Sequence, residues 1–272
     1  GRSFLGCVAR AYRIRCCCRW GRAMIVEPPW PQEALSPGIT LWRYTDWSRL
    51  LSLLTKRSLW FARADQLGDP HEGSLGRITV ETRERIMSKH FAGEGADVVE
   101  RILQQLRDNS GVLRQFVYAN CWYRVDHESE LMWNRYGRRS EGFAIRTSFE
   151  RLKAAVVSES NLFAVPVQYV DYGSQPVPDG NVLLRFAHKR VEFRDEHELR
   201  LLTLHAEADD QGRLTEQPAG LRVPVDPEVL IQELRAGPGM DGWAVDVLRD
   251  VISALGLGIR VGGSALDEDP AY

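Results

Sequence analysis

The stretch KRVEFRDEHELR, residues 189–200, runs directly into the apolar sequence LLTL. Side chains alternate between the two faces of a β-strand. If residues 196–204 form a strand, Glu196, Glu198 and Arg200 share one face, and the leucines between and after them face a core. The stretch therefore predicts a strand with a cluster of charge at one end, which is either part of an active site or a solvated patch of ion pairs.

The composition is that of a globular protein, and the charge is unevenly distributed along the chain. Of the 272 residues, 44% are hydrophobic and 26% are charged, which is ordinary for a chain that buries a core. Residues 1–23 carry six arginines and no acid, and the rest of the chain has 29 basic and 37 acidic side chains. Because nucleic-acid binding depends on neutralising phosphates, we do not expect dedicated binding to DNA or RNA.

The cysteines divide the chain in the same way. Cys121 is the one cysteine outside residues 1–23, so the body has no internal disulfide framework, which suits the reducing cytoplasm. The adjacent cysteines 16–18 lack the spacing of metal ligands, and we predict no metal site there. No run of 18 apolar residues exists, so no membrane-spanning segment is expected. We expect residues 1–30 to be a disordered tail or the product of an upstream start, and residues 31–272 to form a single domain.

Strand-like and helical patterns follow each other without the strict alternation of a doubly wound fold. Short aromatic or β-branched runs predict strands, and longer runs with apolar residues three and four apart predict helices. This mixture favours an α+β fold, with a mixed, mostly antiparallel sheet and helices packed around it. The main predicted strands are 41–44, 58–63, 115–123, 142–146, 162–172, 196–204 and 221–225. The main predicted helices are 128–136, 149–157, 241–255 and a helical stretch 79–108 that is broken around Gly93-Glu94-Gly95.

Four sequence blocks, taken in order over roughly residues 38–265, resemble a bacterial family, domain of unknown function 2971. The blocks are LWRY (41–44), LWFAR with GDPHEG (59–63, 68–73), MWNRYG with EGFAI (132–137, 141–145) and EHELR (196–200). Where the family pattern usually has asparagine, this chain has Gly68. The family has no established activity, so the resemblance implies more about the fold than about the function.

The order of these residues is also similar to the layout of ADP-ribosyltransferases. In that layout a basic residue on the first strand helps to hold NAD, which implies this role for Arg43, and a late glutamate completes catalysis, which implies that role for Glu198. A carboxylate beside the ribose stabilises the oxocarbenium-like state formed when the nicotinamide bond breaks. Glu196 would orient the acceptor or a water, and Tyr44, Trp60 and Phe61 would supply a surface on which nicotinamide or adenine stacks.

We therefore predict a pocket for a nucleotide-like small molecule, with NAD as the substrate and no tightly bound cofactor. The leading hypothesis is ADP-ribosyl transfer or NAD hydrolysis, with Glu198 and Glu196 as the catalytic residues. The predicted binding residues are Arg43, Tyr44, Trp60, Glu72, Trp133, Tyr136 and Arg200.

Two other hypotheses stay open at this point. In the first, the protein is a non-catalytic nucleotide-sensing or protein-interaction module in bacterial defence or stress. Arg43 then pairs with Glu198 or Glu72, and the strand aromatics belong to the core. In the second, lesser hypothesis, a metal-dependent nuclease uses Asp69, Glu72 and Glu196.

Overall fold

A single large sheet organises the chain. The computed structural model describes residues 25–91, 93, 95–157 and 161–270, and within them ten strands form one mixed, mostly antiparallel sheet. The strands are β1 Ile25–Val26, β2 Thr40–Asp46, β3 Ser58–Arg63, β4 Val117–Tyr123, β5 Gly142–Ser148, β6 Leu162–Pro166, β7 Gln168–Val170, β8 His188–Arg190, β9 Glu198–Leu204, β10 Gly220–Pro224, β11 Glu233–Ala236 and β12 Val261–Gly262.

The main path of the large sheet runs in the order β1-β6-β9-β4-β2-β5-β11-β12. Strand β3 joins β4, and β10 joins β3. Strands β7 and β8 form a separate parallel pair.

Helices pack around this sheet. They are α1 Trp47–Lys56, α2 Arg77–His90, α3 Ala96–Val112, α4 Glu130–Met132, α5 Phe149–Ala155, α6 Pro227–Leu230 and α7 Gly242–Ala254. The first helix begins after Asp46, which caps it by accepting a hydrogen bond from the Arg49 backbone N–H. None of the helices in the described part of the chain is long and apolar enough to cross a bilayer.

The main hydrophobic core lies on the sheet face that carries Leu199 and Leu201 of β9. Leu199 and Leu201 are fully buried there, together with Leu50 and Leu54 of α1 and Leu248 of α7. Alternation along β9 places Glu198 and Arg200 on the opposite face of the sheet. The predicted alternation of this strand is therefore confirmed, as is the α+β fold with its mostly antiparallel sheet.

The structure corrects three predicted boundaries. Strand β9 begins at Glu198 and not at Glu196, because residues 191–196 form a 3-10 helix and His197 adopts a left-handed backbone (φ 38°). The predicted strand 162–172 is two strands, β6 and β7, which belong to different sheets.

The third correction concerns the predicted tail at residues 1–30. Ile25 and Val26 form β1 and pair in parallel with β6, so they belong to the sheet. The first 24 residues of that tail lie outside the described part of the chain.

The sheet is split along one edge of β4. At the start of β4, Tyr118 and Ala119 pair with β3, whereas at its end Tyr123 pairs with Trp42 of β2. Between these points no strand of the described residues pairs with the same edge of β4, because β2 and β3 diverge. A gap therefore opens in the middle of the sheet, and its walls are the two diverging strands.

Candidate functional site

A cavity of about 650 Å³ occupies the gap between β2 and β3. This volume lies within the range of pockets that bind small ligands. Its walls include eight of the nine predicted site residues, which are Arg43, Tyr44, Trp60, Glu72, Tyr136, Glu196, Glu198 and Arg200. The fold therefore brings together residues that are up to 157 positions apart in the chain.

One end of the cavity is a buried acidic cluster around Lys189. The Lys189 Nζ lies 2.5 Å from Glu196 Oε2, 3.3 Å from Glu198 Oε2 and 3.4 Å from Glu72 Oε1. All four side chains are at most 7% exposed. The ammonium group of Lys189 is thus a common counterion for three carboxylates.

Arg200 is the second cation of this cluster. Its Nε and Nη2 donate to the two carboxylate oxygens of Glu198 at 2.8 and 3.0 Å, and its Nη1 donates to the Phe186 carbonyl at 3.0 Å. Its Nη2 also lies 2.6 Å from Glu72 Oε2. A bidentate pair of this kind fixes the orientation of both side chains.

The charges of the cluster hold its groups ionised. Burial alone would raise the pKa of Glu198, but Arg200 and Lys189 outweigh burial and lower that pKa to about 2. Burial would likewise lower the pKa of Lys189, yet the carboxylates of Glu198 and Glu72 raise it. Lys189 and Arg200 are the two buried cations of the cluster, and the partly exposed Arg135 lies 3.3 Å from Glu196 as a third, so the formal charges of the three carboxylates are balanced.

A turn between Asp69 and Gly73 positions Glu72 in this cluster. Asp69 accepts a hydrogen bond from the His71 backbone N–H at 3.0 Å, and Gly73 takes a positive φ of 75°. Asp69 forms an ion pair with Arg190 at 3.0 Å, whereas Glu72 pairs with Lys189 and Arg200.

This arrangement bears on the nuclease hypothesis. Its three carboxylates, Asp69, Glu72 and Glu196, already have lysine or arginine partners. Among the described residues, no group of three or more histidine, cysteine, aspartate or glutamate side chains has the geometry of a metal site.

A π-helix at Trp133–Gly137 supplies the next wall. It brings two consecutive residues to the same carboxylate, with Tyr136 donating its hydroxyl to Glu196 at 2.7 Å and Arg135 lying 3.3 Å from Glu196. Gly137 is required here, because a Cβ at this position would lie 2.3 Å from the Trp133 ring. Such π-turns are rare and often occur at functional sites.

Trp133 itself does not reach the cavity, which corrects its prediction as a binding residue. Its ring is fully buried and its Nε1 donates to Glu128 at 3.0 Å. The ring packs edge-on against Tyr44, with 4.9 Å between the centroids. The sequence did not separate this core role from a binding role, because tryptophan serves both.

Two further arginines, Arg43 and Arg222, line the cavity away from these ion pairs. Arg43 is partly buried, donates to the Cys121 carbonyl at 2.7 Å and stacks on Trp122 at 5.8 Å. Among the described residues, no carboxylate lies within 4 Å of the Arg43 or Arg222 guanidinium. Burial lowers the pKa of Arg43, which means that an anion beside it would be stabilising.

Lys189 and Arg222 also belong to the site, although neither was predicted from the sequence. Lys189 lies inside the stretch that predicted the charged strand, but its central position depends on how the chain folds back before β9. Arg222 lies directly opposite Trp60 in the pairing of β10 with β3. Neither contact leaves a signal in residue spacing, because each depends on the pairing of distant segments.

Comparisons with models of protein families, with curated proteins and with solved structures found no match. The resemblance to domain of unknown function 2971 therefore stays a prediction, and the function must be argued from the site.

Proposed function

We propose that the cavity binds a nucleotide-like small molecule, with NAD as the concrete candidate. The observation that carries this proposal is the separation of charge across one cavity. Arg43 faces it without a carboxylate within 4 Å among the described residues, and the cluster of Glu72, Glu196 and Glu198 closes its other end.

The arginine end suits a phosphate or pyrophosphate. A guanidinium offers several N–H donors in a plane, and phosphate oxygens accept them in pairs. Arg43 donates one N–H to the Cys121 carbonyl. Arg222 also lines the cavity and donates to the hydroxyls of Ser52 and Ser58. An anion bound here would neutralise Arg43 and Arg222, which have no carboxylate within 4 Å among the described residues.

The acidic end suits a ribose or a cationic ring. Carboxylate oxygens accept hydrogen bonds from ribose hydroxyls. Glu72, Glu196 and Glu198 line this end, and their carboxylate oxygens offer contacts of opposite charge to the positively charged nicotinamide ring of NAD. A molecule with phosphates in its middle and a cation at one end therefore matches the polarity of the cavity.

Calorimetric titration of the full chain with NAD tests this proposal. We expect saturable binding that weakens with added salt, and an affinity at least about tenfold lower in Arg43→Met, as for the loss of one charge-assisted contact. Arg146→Met is the matched control, because Arg146 is also a strand arginine stacked on a tryptophan, Trp42 at 5.9 Å, but pairs with Glu233 and does not line the cavity. Unchanged NAD affinity in Arg43→Met would argue against the proposal.

Cleavage of NAD is the second candidate function, and one observation favours it. Glu198 lines the cavity and stays ionised at neutral pH, as a residue that stabilises an oxocarbenium-like state must. Both of its oxygens already bind Arg200, which weakens its field at the ligand. For this reason we put binding first and cleavage second.

Nicotinamide release from NAD tests the second candidate. Release by the wild type that is lost in Glu198→Gln, with NAD binding retained, would support catalysis by Glu198. Binding without any release would instead support the sensing hypothesis.

The free thiol of Cys121 agrees with the proposed cytoplasmic location, and the setting in bacterial defence or stress stays a prediction.

A further inference from the structure

Trp60 differs from the other aromatic residues expected to stack on a ligand. Tyr44 is 7% exposed and its hydroxyl accepts a hydrogen bond from the Ser129 backbone N–H at 2.9 Å. Phe61 is fully buried in the main core. Trp60 lines the cavity and keeps 44% of its surface exposed. Of these three rings, Trp60 is the one with a surface that a ligand can cover.

The structure fixes the orientation of this exposed ring. Gly220 lies beneath it on β10, and a Cβ there would come within 2.2 Å of the indole. Arg222 pairs with Trp60 across the two strands, with its guanidinium carbon 5.6 Å from the ring centre. Arg222 in turn donates to the hydroxyls of Ser52 and Ser58 at 3.1 and 3.4 Å. A large ring held in this way loses little freedom when a ligand stacks on it.

The ring and the nearby cations together match the base and the phosphate of a nucleotide. Bases stack on tryptophan through their π-faces, and the phosphate attached to such a base would meet Arg222 or Arg43. The acidic cluster lines the same cavity and suits the second half of a dinucleotide. Trp60 therefore offers a separate place for a second base.

We propose that Trp60 is the stacking platform for the adenine base of the ligand, so that the cavity selects a dinucleotide over a mononucleotide. This inference rests on the proposed function. Trp60 acts as a specificity-determining residue that binds the adenine half of the ligand.

Two ligands that differ by the adenine half test this assignment. We would titrate the full chain with NAD and with nicotinamide mononucleotide, which keeps the cationic ring, the ribose and one phosphate. Trp60→Ala is expected to weaken NAD binding by about 5- to 150-fold, the range for loss of one base stack. Binding of nicotinamide mononucleotide is expected to change by less than about twofold, and Trp60→Phe is expected to restore most of the NAD affinity.

The control is Trp243→Ala, since Trp243 is 70% exposed on α7 and does not line the cavity. It is expected to leave both affinities unchanged. If Trp60→Ala does not fold, Trp60→Leu carries the same expectation, because it keeps an apolar side chain on the strand but has no aromatic ring.

The outcomes separate this inference from the proposal on which it rests. If the wild type binds both ligands and Trp60→Ala weakens them equally, or weakens neither, the assignment of Trp60 is wrong while the binding function stands. Unchanged NAD affinity would also point to a protein partner as the occupant of the exposed ring. If the wild type binds neither ligand, the binding function fails and the assignment of Trp60 fails with it.

Discussion

Arg200 and Arg43 line the same cavity from strands β9 and β2, but their surroundings are opposite. Arg200 is 1% exposed, binds Glu198 through two hydrogen bonds and lies 2.6 Å from Glu72. Arg43 binds one carbonyl, and no carboxylate of the described structure lies within 4 Å of it. Neighbouring carboxylates raise the pKa of Arg200, whereas burial lowers the pKa of Arg43.

The presence or absence of a neighbouring carboxylate distinguishes an arginine that stabilises the fold from one that can bind an anionic ligand. The charge of Arg200 is compensated within the fold, so its removal damages the fold. The charge of Arg43 is not compensated by a carboxylate of the described residues, so its removal damages ligand binding. Each prediction below tests one side of this contrast.

The largest expected effect is on stability. Arg200→Met leaves Glu198 and Glu72 with Lys189 alone, and breaking a buried ion pair in this way is expected to cost about 3–5 kcal/mol of unfolding free energy. Arg43→Met removes one hydrogen bond to a carbonyl and is expected to cost about 1 kcal/mol. Urea denaturation of the two variants and the wild type measures both values. Equal losses would contradict the contrast between the two arginines.

The second prediction concerns pH. The pKa of Glu198 is about 2 in the folded protein, below its ordinary value of 4.5. A depressed pKa gives stability that is fully present above the ordinary value and is lost as the pH falls toward the folded value. Unfolding free energy should therefore fall between about pH 5 and pH 2 in the wild type and in Arg43→Met. Glu198→Gln should show a shallower fall over that range, and an unchanged slope would count against the ionised cluster.

The third prediction addresses the π-helix that supports the acidic end. Gly137→Ala places a Cβ 2.3 Å from the Trp133 ring, and such overpacking is expected to cost about 1–3 kcal/mol. Gly180→Ala is the control, because a Cβ there meets nothing within 4 Å. Thermal unfolding of both variants measures the difference, and similar melting temperatures would refute the need for glycine at residue 137.

The smallest expected effect is that of Tyr136→Phe. The hydroxyl of Tyr136 donates to Glu196, but the side chain is 40% exposed and Lys189 and Arg135 still neutralise the carboxylate. We expect a loss of about 1 kcal/mol in unfolding free energy, measured in urea. A loss as large as that of Arg200→Met would mean that Tyr136 belongs to the structural charges of the acidic end.

Alternation along single strands allowed part of this site to be predicted. It placed Glu198 and Arg200 on one face of β9 and Leu199 and Leu201 on the other. These features depend on neighbours in the sequence, and for that reason a single sequence reveals them.

The remaining contacts depend on how distant segments meet. Lys189 reaches Glu196 because a 3-10 helix and the left-handed His197 turn the chain back on itself. Arg222 meets Trp60 through the register of β10 on β3, which residue spacing does not encode. Trp133 was predicted as a binding residue and proved to be core, since burial of an aromatic ring is decided by tertiary packing.

The most direct test of the uncompensated arginine end is the affinity of inorganic pyrophosphate for the wild type and for Arg43→Met, measured by calorimetry at two salt concentrations. Pyrophosphate probes the anion site without a base, a ribose or any chemistry at Glu198. We predict that it binds the wild type, more weakly at higher salt and in competition with NAD, and that Arg43→Met loses most of this affinity. Absence of binding to the wild type, or equal binding to the wild type and Arg43→Met, would contradict the assignment of this end of the cavity to phosphate.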